Sequence, residues 1–156
     1  MRRARAFRAT ALLAAVAAGA IIAVVALAGG TDDSRPTRDE YVAQVDALCA
    51  EYAGQLDRIP PPGDLSSPGA IVESLEQALP ILRAQATAIR ALRPPRTDEA
   101  RIGRFFRLTD RSLTELRAAL DAALERALYP MATALTRFGK RRDEAKAVAK
   151  ELGFRC

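Results

Sequence analysis

The stretch Thr37–Gly63, TRDEYVAQVDALCAEYAGQLDRIPPPG, decides the fold class. It opens on Thr37-x-x-Glu40, a capping box. The threonine hydroxyl can accept from the Glu40 amide while the glutamate side chain reaches back to the Thr37 amide. Apolar residues then recur at Tyr41, Val45, Leu48, Tyr52, Leu56 and Ile59. Every step is three or four residues, the repeat of one helical face. Pro60, Pro61 and Pro62 remove backbone donors and Gly63 follows, so the helix has to end there.

The same pattern returns along the rest of the chain. Ser67 caps a second helix with Pro68 at its first position, and its stripe runs Ile71 or Val72, Leu75, Leu79, Leu82, Ala86, Ile89 and Leu92. Pro80 inside it is expected to kink the helix rather than end it. Arg93-Pro94-Pro95 is the stop. A third helix starts at Thr97 or Asp98 and carries Ile102, Phe105 or Phe106, Thr109, Leu113, Leu116, Leu120 and Leu124 on one face. Tyr129-Pro130 reads as the break before a fourth, with Leu135, Phe138, Arg142, Ala145, Val148 or Ala149, and Leu152. Gly153 suits a left-handed terminal cap, and Phe154 stands where that motif makes its apolar contact. No run alternates as a strand does. The expectation is an all-α chain: an antiparallel four-helix bundle over 37–156, a polar tether at 31–36, and an N-terminal signal or anchor helix within 1–30.

The basic balance belongs mostly to that N-terminal segment. The chain carries 24 basic and 19 acidic residues, net +5, but Arg2, Arg3, Arg5 and Arg8 account for +4 before any acid occurs. The remainder is nearly neutral, which argues against a nucleic-acid partner. Ala9 to Thr31 is uncharged and long enough to cross a bilayer, with Asp32 and Asp33 directly after it. The basic flank puts the N-terminus in the cytoplasm and residues 32–156 outside. Two readings stand. Ala26-Leu27-Ala28 fits a signal-peptidase site, which would release a secreted protein; otherwise residues 9–30 stay as a membrane anchor. Leu27-Ala28-Gly29-Gly30 looks like a lipoprotein box with glycine where the lipidated cysteine belongs, so no lipid anchor is expected.

Export bears on the two cysteines, Cys49 and Cys156. In an oxidising compartment a pair of this kind is expected to bridge. The residue inventory also excludes several chemistries. With no histidine, Ser-His-Asp and Cys-His nucleophiles and imidazole metal sites are absent. Two cysteines cannot make a four-thiolate zinc or iron–sulfur site. No Ser-x-x-Lys and no EF-hand loop occurs. The expectation is a protein without enzymatic activity and without a cofactor.

The pattern Tyr41…Asp46…Cys49, then Leu92-Arg93-Pro94-Pro95, then Leu152-Gly153-Phe154-Arg155-Cys156 resembles small exported helical proteins of high-GC bacteria, many of them lipoproteins. The resemblance covers nearly all of residues 37–156. It implies a secreted or surface helical domain and brings no catalytic residues with it.

Two candidate sites remain. Residues 83–117 hold 9 arginines and 4 acids, against 3 bases and 10 acids in residues 31–82. Arg101, Arg104, Arg107 and Arg111 are spaced by three and four, so they share one side of a helix and could fork onto anionic groups of an envelope protein or polymer. The plainer account has the acidic first half and the basic second half pairing across the bundle. The second candidate is aromatic. Tyr41 and Tyr52 lie about three turns apart on one helix and, with Phe105, Phe106 and Phe138, are able to line a pocket between helices. The leading functional expectation is a cell-envelope interaction domain. The alternatives are a small-molecule-binding module built on that pocket, or an accessory extracytoplasmic sensor.

Overall fold

A computed structural model describes residues 35–64 and 66–156. The signal or anchor segment at 1–30, and the tether as far as Ser34, lie outside the described residues. The described residues form a helical bundle with no strand. Its elements are α1 (Arg38–Leu56), α2 (Pro68–Ala91), a 3-10 turn at Arg96–Asp98, α3 (Glu99–Leu124) and α4 (Leu128–Leu152). Among the described residues no helix is long and apolar enough to cross a membrane.

The helix ends follow from local chemistry. Both bonds of the Thr37/Glu40 capping box form, and the Thr37 amide, together with the Thr37 hydroxyl, donates to the Glu40 carboxyl and holds it below its ordinary range. α2 begins at Pro68 and continues through Pro80. α4 ends at Gly153, with φ +90°. There the Phe154 amide donates to the Ala149 carbonyl at 2.9 Å and the Gly153 amide to Lys150 at 3.1 Å.

One boundary differs from the sequence reading. The break before α4 is not at Tyr129-Pro130 but at Glu125, Arg126 and Ala127. Arg126 takes a left-handed conformation, φ +56°. The Ala127 amide donates to Ala122 at 2.9 Å and the Arg126 amide to Ala123 at 3.0 Å. This is the same pair of closing bonds as at Gly153, built without glycine. Tyr129 and Pro130 instead occupy the first turn of α4, where a missing amide costs no hydrogen bond.

The core falls into two clusters. One gathers Tyr41, Val45 and Cys49 of α1, Ile89 of α2, Ile102, Phe105 and Leu108 of α3, and Val148, Leu152 and Phe154 from the α4 end. The other joins Ile71, Leu75 and Leu79 to Leu116, Leu120, Met131 and Ala134, with nothing from α1. α1 therefore packs deeply only through its first three turns. Leu48, Tyr52, Leu56 and Ile59, expected to carry the core stripe onward, are only half-buried. Cys49 and Cys156 form a disulfide. It ties the middle of α1 to the segment beyond α4. Asp46 reinforces that tie: its Oδ1 accepts from the Arg155 amide at 2.7 Å and its Oδ2 from Arg155 Nε at 2.8 Å.

Candidate functional site

Where α1 runs past the disulfide and away from deep packing, the bundle opens into a groove of about 850 Å³. Each wall has a sequence origin. α1 contributes Ala43, Ala47, Ala50 and Ala53, all exposed, with Leu56 at the far end. Their spacing of three and four keeps them on one side of the helix, and their small side chains leave the space unfilled. α2 adds Leu82, Ala86 and Ile89. α3 supplies Phe105, Phe106, Thr109, Ser112 and Leu113, and α4 supplies Phe138, Arg142, Ala145, Lys146 and Ala149. The disulfide and the Asp46–Arg155 pair also border it.

The lining is mainly apolar, so its few polar groups decide what it can hold. The Thr109 hydroxyl donates to the Phe105 carbonyl within its own helix. Ser112 is 7% exposed and makes no hydrogen bond among the described residues. Arg142 lies over the Phe138 ring at 5.8 Å and pairs with its neighbour Asp143 at 3.1 Å. Lys146 is exposed and makes no ion pair among the described residues.

Phe105, Phe106 and Phe138, three of the five aromatic residues grouped from the sequence, line this groove, whereas Tyr41 and Tyr52 do not. Tyr41 is 1% exposed inside the core, its ring 6.0 Å from Phe154, which in turn meets Phe105 edge-on at 5.7 Å. Its hydroxyl has no partner, and burial raises its pKa. Tyr52 is half-buried. The reason is rotational. At about 100° per residue, the alanines project from a different side of α1 than the Tyr41–Val45–Tyr52 line.

No family model, curated protein or solved structure matches this chain.

The arginine face resolves differently from the groove. Arg101 pairs with Asp98, while Arg104, Arg107 and Arg111 are exposed and make no ion pair among the described residues. None of the four lines the groove. Pairing between the acidic and basic halves is mixed. Asp46–Arg155 runs in the expected sense, but Arg38–Asp98 at 3.7 Å and Arg35–Glu99 run the other way. Arg90–Asp110 at 2.8 Å and Arg117–Asp121 at 2.9 Å border a shallower charged depression between α2 and α3.

Sequence reasoning missed Asp98 as a structural charge. It reads as an ordinary first-turn acid, yet it is 2% exposed. Arg101 and Arg38 hold it, and Arg38 also donates to the Glu151 carbonyl at 2.9 Å. One guanidinium thus joins the starts of α1 and α3 to the end of α4. The Arg101 pair follows ordinary i,i+3 spacing, but the burial and the Arg38 contact come from a distant helix and leave no mark in the local sequence.

Proposed function

We propose that this protein is a non-enzymatic binding module of the cell envelope. It is an antiparallel four-helix bundle, anchored by or released from its N-terminal segment, that takes an apolar small molecule into the interhelical groove. The groove carries this reading. Its volume of about 850 Å³ lies within the few hundred to about 1,000 Å³ common for small-molecule sites. Its walls are alanine, leucine and phenylalanine with a small number of polar groups. The disulfide supports an oxidising location, and the basic, then apolar, N-terminal sequence supports export.

The test uses N-phenyl-1-naphthylamine, a neutral probe that brightens in apolar surroundings, with the full chain. The wild type is expected to raise its fluorescence saturably. Ala50→Trp, which fills the groove from an exposed position, is expected to remove most of that signal. Equal signals from the two proteins would defeat the reading.

A second reading has its own observation. Leu124, Leu128 and Tyr129 are exposed around the α3–α4 turn, Tyr129 by 83%. A cluster of that kind supports contact with an envelope protein. Arg104, Arg107 and Arg111, exposed and without an ion pair among the described residues, support contact with an anionic envelope polymer.

A further inference from the structure

The groove's charges are unevenly spent, and this points to the class of its ligand. Asp46 is the acid of the lining, and Arg155 takes both of its oxygens. Arg142 is occupied by Asp143 and Phe138. Lys146, one helical turn further along α4, is left without a counter-charge among the described residues. The side chains of Ser112 and Gln85, also in the lining, make no hydrogen bond among the described residues. Among the described residues, a mainly apolar lining thus carries one uncompensated positive charge. We infer that its ligand is a single-chain carboxylate amphiphile of the fatty-acid class. Its head pairs with Lys146, and its chain lies between the α1 alanines and the aromatic floor. This rests on the groove being a ligand site at all.

Length and charge favour this occupant over a phosphate monoester. From Ala43 to Leu56 the α1 wall is about 20 Å long at 1.5 Å per residue. That exceeds the roughly 15 Å that one acyl layer occupies in a bilayer, so an extended chain fits along it. Among the described residues of the lining, Lys146 is the cation left without a counter-charge, and it matches one negative charge. A phosphate monoester, which carries about two charges near neutrality, would leave one unpaired beside Asp46. Lys146 can place its methylenes against the ligand's first carbons and its ammonium on the carboxylate.

The experiment compares cis-parinaric acid with its methyl ester, by fluorescence titration of the full chain. Residues 9–31 are themselves apolar, so Ala50→Trp in the same full chain sets the baseline. Retention of helical circular dichroism and of the disulfide mass confirms that each variant is folded. The acid is expected to bind the wild type about tenfold more tightly than the ester, the range of a charge-assisted contact. Lys146→Glu is expected to remove that preference by weakening acid binding much more than ester binding. Ala50→Trp is expected to abolish both. If acid and ester bind the wild type alike, or Lys146→Glu leaves the preference intact, carboxylate recognition falls while the groove stands. If the acid is displaced by an acidic amphipathic peptide but not by palmitic acid, the fatty-acid assignment also falls. If Ala50→Trp binds both probes as the wild type does, the inference and the ligand-site reading fall together.

Discussion

The two ends of the bundle are built on different principles. At the disulfide end all four helices meet. The cluster is aromatic, with Phe154 in contact with both Tyr41 and Phe105, and it is cross-linked and braced by Asp46 and Asp98. At the other end α2, α3 and α4 pack through leucines, Ile71, Met131 and small alanines, without α1. The cause is length. α1 has 19 residues against 24 to 26 in the others, and the proline run after it leads the chain away. The groove lies where the four-helix part thins into the three-helix part. The cleft thus follows from one helix being short and from small alanines on the side of it that borders the groove. The cross-link holds the fourth wall where deep packing alone stops.

The largest expected effect falls on that contrast. The bridge spans 107 residues of sequence, for which the chain-entropy account gives about 4–5 kcal/mol. That is a large share of the roughly 5–15 kcal/mol typical of a whole domain. Reduction, or the double change Cys49→Ser/Cys156→Ser, is expected to lower the urea midpoint by a corresponding amount. Hydrogen exchange is expected to show where the loss lies. α1 amides should lose protection first, while those around Leu116, Leu120 and Met131 keep theirs longer. Uniform loss across both clusters would mean that the two ends are one cooperative unit, and the contrast would lose its energetic meaning.

How far the sequence carried this picture differs between the ends as well. Capping boxes, prolines and three-or-four spacing marked all four helices, because these are local effects written within a few residues. Gly153 marked the end of α4 because glycine takes positive φ at little cost. The α3–α4 break was misplaced because Arg126 takes the same conformation without that signal. The groove was legible only in part. The phenylalanines stood out, but Ala43, Ala47, Ala50 and Ala53 look neutral in any periodicity. Which side of α1 faces inward is fixed by long-range events, the bridge and the seating of Phe154. Asp98 was hidden for the same reason.

The two helix ends with matching bonds provide the next test. A non-glycine residue in the left-handed region costs about 1–2 kcal/mol. Arg126→Gly is therefore expected to stabilise the three-helix end by about 0.5–1 kcal/mol, somewhat less than the strain removed because glycine also loosens the unfolded chain. Gly153→Ala is expected to destabilise the other end by about 1 kcal/mol. A Cβ there meets only Val42, at 3.9 Å, so the loss comes from the backbone and not from a clash. Thermal melts of the two variants should move in opposite directions. A shift of the same sign in both would show that Arg126 earns its conformation through side-chain contacts at the turn.

The smallest effect isolates a flaw in the stronger end. The Tyr41 hydroxyl is buried without a partner, and such a group costs about 1 kcal/mol or more against an apolar replacement of the same shape. Tyr41→Phe keeps the ring against Phe154 and is expected to raise stability by about 0.5–1 kcal/mol near neutral pH. The pH dependence has a definite sign. Burial raises the folded pKa of Tyr41 above its ordinary value of 10.0, so from about pH 10 upward the unfolded chain loses this proton while the folded chain keeps it. Stability contributed by the protonated form is complete below that point and declines as pH climbs toward the folded value. The wild type should therefore lose stability above pH 10 more steeply than Tyr41→Phe, and the gap between them should widen with pH. Parallel curves would show that water reaches the hydroxyl, and that the aromatic cluster at the disulfide end is less tightly closed than its packing implies.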